Sequence, residues 1–422
     1  MKWLSHICGV QRDTYMTLAD QALVSGSNFL LGILLTRALG LEAYGIYALV
    51  WMGMTFVGGI QQTLVLAPMM SLGPKESPEN QPAYWRATWT INACLSLAGG
   101  GLAMLAIATA PWWNGGPLPD YLLTYLPLAV IVYLIQEYLR RYFFIRSQVL
   151  WALLVDLVAY LGLLAFIGIC WIAGELTLEA VFLGFCGAYG SSSLLGWAAS
   201  RLTTVSKKKF THQFKRHWVF GRWLVGTSIL QFFSGNFFII AAGTLSGTGA
   251  VGALRMVQNL MGVAHVLFLA MENFVPVRAA ASMAEGGIAG LQAYLKQATF
   301  KLGGVLGGLL LIVGVAAPWL LGWCYGAEHA SYAYLVRGFC LLYILTFTGF
   351  IFRYYLRSVE YTFPIFLAYV LSTAFSVIAA YPMVGQFGLM GVIYGMGTAQ
   401  LVVHLCYLIS LKKRLPALRQ EA

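Results

Sequence analysis

Residues 40–50 read GLEAYGIYALV, and residues 247–257 read GTGAVGALRMV. Four positions agree at an offset of 207: Gly40 with Gly247, Ala43 with Ala250, Gly45 with Gly252 and Val50 with Val257. Each stretch breaks a long apolar run at a glycine and resumes at once. Working outward, SGSNF (25–29) answers SGNFF (234–238), and Pro68 answers Pro276. AYWRAT (83–88) answers AYLKQAT (293–299), APWW (110–113) answers APWL (317–320), and RYFFIRS (141–147) answers RYYLRS (353–358). The order is kept throughout and the offsets drift only between 207 and 212. Matches in fixed order at near-fixed spacing mark an internal repeat. In a chain of 422 residues each copy fills one half.

What repeats is hydrophobic. Apolar residues make up 59% of the chain and charged residues 10%, against about 25% charged in soluble domains. The apolar residues fall into runs long enough to span a bilayer, about 20 residues each. They lie near 17–36, 43–66, 87–110, 121–142, 149–171 and 179–200, and again near 218–241, 248–272, 299–320, 332–353, 361–382 and 388–411. The runs are continuous, which excludes a β-barrel of short alternating strands. Lipid offers no partner to backbone polar groups, so the spans must be helices. The expected fold is therefore an all-α polytopic membrane protein of twelve transmembrane helices. It divides into a six-helix lobe over 1–205, a basic cytoplasmic linker over 206–217 and a second six-helix lobe over 218–422. Six spans per half gives both halves the same orientation, related by a pseudo-two-fold along the membrane normal. Transporters of this construction carry substrate between the halves and alternate access by rocking them.

All but three of the 26 Lys and Arg residues fall at the ends of alternate loops, with both termini on that side. The loops near 111–120, 172–178, 242–247, 323–331 and 383–387 contain none. The positive-inside rule places the basic side, including both termini and RLTTVSKKKFTHQFKRH, in the cytoplasm. A net charge of +11 is thereby assigned to orientation and to contact with anionic membrane lipids, not to nucleic acid. The N-terminal MKWLSHICGVQRDTYM lacks a signal-peptide core and cleavage site, so the first span is expected to be retained. The seven cysteines and six histidines are scattered without ligand spacing, which favours packing over metal or redox chemistry.

At the repeated motifs the chain resembles a known family. LLTRALGLEAYGIYALV, followed by RRYFFIRSQVLWALLVDLV, is similar to the polysaccharide transporter branch of the superfamily that includes multidrug and toxin extruders. The resemblance implies a flippase for an undecaprenyl-pyrophosphate-linked oligosaccharide, an O-antigen or exopolysaccharide repeat unit, in the bacterial inner membrane. It also implies two lobes around a cationic lumen, and as partners a polymerase and a chain-length regulator of the same pathway. Two rivals are a multidrug or cation antiporter of the same superfamily and, from another class, a membrane glycosyltransferase or polymerase. No catalytic triad, metal spacing or nucleotide motif points to an enzyme, and no cofactor is expected beyond a coupling H+ or Na+.

A pyrophosphate cargo calls for positive charge that water does not solvate away, and arginine's fork suits phosphate oxygens. An arginine inside a span costs about 2.5–3.5 kcal/mol on insertion scales, so it seldom stands there without reason. Arg37, Arg255 and Arg337 are the three outside the cytoplasmic set. Arg255 is the first candidate for substrate binding, because Gln258 and Asn259 share its helical face. Arg337 follows, and Arg37, nearer an interface and close to Glu42, is third. Asp156 and Asp20 are candidates for coupling, although for Asp156 an ion pair with a nearby arginine is the favoured role. Asp20 and Glu272 stand near cytoplasmic ends, where hydration is easy. Glu137 and Arg141 are spaced for a helical pair, and Asn28, Asn92 and Asn236 are expected to form hydrogen bonds between helices. Trp112, Trp113 and Trp319 beside prolines suggest an aromatic belt. The glycines of LAGGGLAM (97–104) suggest close helix packing.

Overall fold

The computed structural model describes residues 2–110, 119–205 and 207–421. Trp112 and Trp113 lie outside the described residues. Among those described, secondary structure is helical throughout, with no strand. In chain order the spans are α1 (residues 2–39), α2 (residues 41–72), α3 (Gln81–Ala108), α4 (Asp120–Ile145), α5 (Val149–Ile172) and α6 (Leu178–Ser200). They continue as α7 (Lys207–Ser246), α8 (residues 248–286), α9 (residues 288–325), α10 (Ala333–Ser358), α11 (Phe363–Phe387) and α12 (Leu389–Glu421). Among the described residues ten helical stretches are each long and apolar enough to cross a membrane. One of them, Ala19–Lys75, is divided at Gly40 into two spans, and Thr248–Leu260 with Gly262–Phe268, bent by 54°, adds another. All twelve expected spans are thus present as helices.

The chain forms two compact units. Met1–Leu39 with Leu49–Ile229 make the first, and Gly40–Ala48 with Leu230–Ala422 make the second. The short excursion of 40–48 has a physical cause in the opening motif. Gly40 (φ 79, ψ 175) and Gly247 (φ 81, ψ 175) hold one and the same conformation, in a region open essentially to glycine alone. Five residues on, the two copies touch inside the second unit. A methyl group on Gly45 would overlap the carbonyl oxygen of Thr248, and one on Gly252 that of Leu41. Leu41 and Thr248 are themselves equivalent at the offset of 207. The contact is therefore reciprocal, position for position, as in a local two-fold, and glycine lets the backbones meet.

The repeat recurs at the ends of α4 and α10. Ser147 and Glu360 both take the left-handed conformation at φ 54. Gln148 N–H bonds the Phe143 carbonyl and Ser147 N–H that of Phe144, while Tyr361 N–H bonds Leu356 and Glu360 N–H bonds Arg357. These are two Schellman caps of identical pattern, and they set the register here at 213, one more than matching letters gives.

The interior of the first unit is polar in places. α2 contains a π-helical turn over Gln62–Leu66, and α5 another over Leu157–Leu161. Pro68 has no N–H to offer the carbonyl of Leu64; the fully buried His217 of α7 donates to it from Nδ1 at 3.1 Å. His217 Nε2 stands 3.1 Å from the Tyr84 hydroxyl. Gln61 donates to Asn92 Oδ1 at 2.7 Å, the expected bond between helices. Gly99 and Gly100 let α3 pack on α2 and α4, with Val57, Val130 and Ile131 where a methyl group would stand.

Candidate functional site

In the first unit α1, α4 and α5 bring three charges together. Arg140 Nη2 lies 2.8 Å from Asp20 Oδ2, and Arg140 Nε lies 2.6 Å from Asp156 Oδ2. Gln136, one turn before Arg140, donates to Asp156 Oδ1 at 2.7 Å. Both carboxylates are wholly buried and the arginine nearly so. Asp156 is the last α-helical residue before the π-turn of α5, and such turns often stand at functional positions. Two sequence expectations change here. Asp20 is not hydrated, and Arg140 does not belong to the solvated basic face. Its position before the end of α4 turns it toward α1 and α5, and distance from a loop does not reveal that. The pair expected between Glu137 and Arg141 does not form among the described residues; Arg140 gathers the carboxylates instead.

Two aspartates facing one guanidinium leave a surplus negative charge when both are ionised. Half-buried Glu137 adds a further carboxylate within electrostatic range of Arg140. A buried uncompensated charge is costly, and a further positive charge beside the two carboxylates would lower that cost.

The second unit contains the cluster around Arg255. Its Nη1 donates to Gln258 Oε1 at 3.0 Å and its Nη2 to Asn236 Oδ1 at 3.2 Å, while the buried Nε has no hydrogen-bond partner. Asn259 donates to the Tyr325 hydroxyl at 2.9 Å. The three residues expected to share a face are thus joined by Asn236 from α7 and Tyr325 from α9, which the sequence does not point to as a set. No carboxylate pairs with Arg255 among the described residues. Its partners are neutral amide oxygens, so its full positive charge is kept.

Arg337 is exposed and donates from Nε to the Gly314 carbonyl at 3.2 Å. That carbonyl is the one left without a helical donor by Pro318, four residues on. Arg37 is exposed, three residues before the break at Gly40. Sequence reasoning did not single out Arg353, which pairs with Glu272 at 2.7 Å; Arg357 holds the same carboxylate at 2.8 Å. Tyr354 also donates to Glu272, at 3.0 Å. Glu272 is therefore not simply a hydrated end residue. No group of three or more His, Cys, Asp and Glu is placed to hold a metal among the described residues.

No family model and no curated protein matches the chain in sequence. Solved structures match in fold. An inward-facing multidrug resistance MATE family transporter of the MOP superfamily has a TM-score of 0.74 at 14% identity, over 95% of this chain and 96% of that one. The lipid II flippase MurJ, in an inward closed conformation, has 0.71 at 11% identity, over 95% and 87%. A MOP superfamily transporter from Pyrococcus furiosus, described as having a binding pocket of reverse polarity, has 0.61 at 13% identity, over 97% and 96%. The chain is a multi-pass membrane protein with the two-lobe fold of these transporters.

Proposed function

We propose that this protein is a flippase, not an enzyme, which moves an undecaprenyl-pyrophosphate-linked oligosaccharide across the bacterial inner membrane by alternating access. The observation that carries this reading is Arg255, a guanidinium within a span, bonded only to neutral amide oxygens. A pyrophosphate supplies the anion such a group lacks. The fold shared with a protein named as a lipid II flippase supports the same cargo class. The concentration of Lys and Arg on one side supports cytoplasmic termini and a cytoplasmic 206–217 segment, of which residues 207–217 form the basic start of α7 and not a separate linker. Gln258 and Asn236 orient Arg255, and Gln258 and Asn259 offer further contacts to the head group.

A multidrug or cation antiporter would present an open carboxylate to its cargo. The two buried aspartates are instead engaged by Arg140, which favours a coupling role for Asp20 and Asp156, with a proton or Na+ as the surplus cation. Arg255→Ala is expected to abolish surface display of the polysaccharide at unchanged protein level, and full display would overturn the assignment. Asp156→Asn is expected to make transport insensitive to the ion gradient. Normal gradient dependence in that variant would remove the coupling role.

A further inference from the structure

A cavity of about 530 Å³ opens at the end of the first unit where α3 begins and α4 and α6 finish. Three arginines line it, Arg86, Arg146 and Arg201, with the polar side chains of Gln81, Ser200 and Thr203 between them and no acidic residue. None of the three forms an ion pair with a carboxylate among the described residues. The nearby Glu76 is committed to Arg216 at 2.6 Å. We infer that this cavity is a binding site for a phosphate-bearing anion.

The arginines are held ready. Arg146 donates from Nη1 to the Tyr142 hydroxyl at 2.6 Å and lies over that ring, 5.4 Å from its centre. Arg86 is tethered through Nε to the Pro82 carbonyl at 3.2 Å, and its two terminal nitrogens remain for a ligand. Arg201 is the informative one. It caps α6 in the left-handed conformation (φ 53, ψ 28), where glycine is the favoured residue. The turn around it is pinned: Trp197 Nε1 donates to the Leu202 carbonyl at 3.0 Å, and Val205 N–H donates to Thr90 at 3.2 Å. An unfavoured residue held in a fixed turn points to function, and here it places a third arginine in the cavity wall. Preorganised guanidinium forks recognise phosphate oxygens in pairs.

The phosphate can belong to a lipid head group or to a soluble ligand. The exposed Leu194 and Trp197 on α6 offer an apolar path for acyl chains. The test is thermal unfolding of the full-length protein in uncharged detergent after delipidation. One arm adds inorganic pyrophosphate, the other phosphatidylglycerol against phosphatidylcholine, all at constant ionic strength. Stabilisation by phosphatidylglycerol alone identifies a head-group site, and stabilisation by pyrophosphate identifies a site open to soluble phosphate. Arg201→Gly suits its backbone conformation and is expected to fold at least as well, yet to raise the apparent Kd about tenfold. The Arg86→Gln, Arg146→Gln, Arg201→Gly triple variant loses the response, and Lys215→Gln, outside the cavity, keeps it. The inference fails if neither probe stabilises the unaltered protein, or if the triple variant responds as strongly. It does not depend on the transport reading, because no readout here involves transport.

Discussion

Arg140 and Arg353 occupy one position of the repeat, since the Schellman caps of α4 and α10 set the register at 213. At that register Asp156 of α5 corresponds to Tyr369 of α11, and the contact is conserved in place while its chemistry changes. Arg140 reaches Asp156, and Arg353 Nη1 reaches the Tyr369 hydroxyl at 3.4 Å. The balancing carboxylate also moves, from Asp20 on α1 to Glu272 on α8. One cluster therefore holds two carboxylates to one guanidinium, and the other two guanidinia to one carboxylate. Removing Arg140 strands both aspartates, so Arg140→Ala is expected to destabilise the protein by roughly 3–5 kcal/mol. Adding Asp20→Asn and Asp156→Asn to it should restore much of that loss, because the three residues act as a unit. Arg353→Ala leaves Arg357 on Glu272 and should cost less, about 1.5–3 kcal/mol. Thermal unfolding of the purified variants checks both, and equal losses for Arg140→Ala and Arg353→Ala would contradict the charge count.

At the scale of the element, the breaks at Gly40 and Gly247 fix where α2 and α8 begin, and the next glycine of each copy fixes how closely they meet. A methyl group on Gly45 or Gly252 meets a backbone carbonyl, which has no rotamer by which to withdraw. Gly45→Ala and Gly252→Ala are each expected to cost about 1–3 kcal/mol through overpacking. Gly249→Ala is the control: a methyl group there would stand 3.5 Å from Glu42 Cγ, an ordinary contact at the movable part of a side chain. If Gly249→Ala lowers the unfolding temperature as much as Gly45→Ala does, close backbone approach is not what the repeated glycines serve. Prolines leave a second kind of mark on the elements. Pro68 and Pro318 each free the carbonyl four residues earlier, and in each case a side chain from a neighbouring helix takes it, His217 in one and Arg337 in the other.

Over the whole molecule, the twelve spans and the duplicated half were legible in the sequence because both are written locally, in runs of apolar residues and in letters that recur in order. Arg255 with Gln258 and Asn259 was legible for the same reason, one helical face. The Asp20–Arg140–Asp156 cluster was not. It joins residues 120 and 16 positions apart, and a count of Lys and Arg by loop ignores which face of a helix carries them. The role of Arg337 was readable in principle, from the proline that frees Gly314, but only once α9 and α10 are known to lie together. What the loop count bears on is orientation, and the orientation proposed from it makes a prediction for the entire chain. With the native cysteines replaced by alanine, single cysteines are placed at the exposed positions Glu175, Lys209 and Glu360. One span, α6, separates Glu175 from Lys209, and four, α7 to α10, separate Lys209 from Glu360. A membrane-impermeant maleimide added to spheroplasts should label Glu175→Cys at once, and Lys209→Cys and Glu360→Cys only after permeabilisation. The inverse pattern would reverse the orientation that the basic residues dictate. Labelling of Glu360→Cys without permeabilisation, with Lys209→Cys still protected, would break the even number of crossings between them and with it the six-span second half.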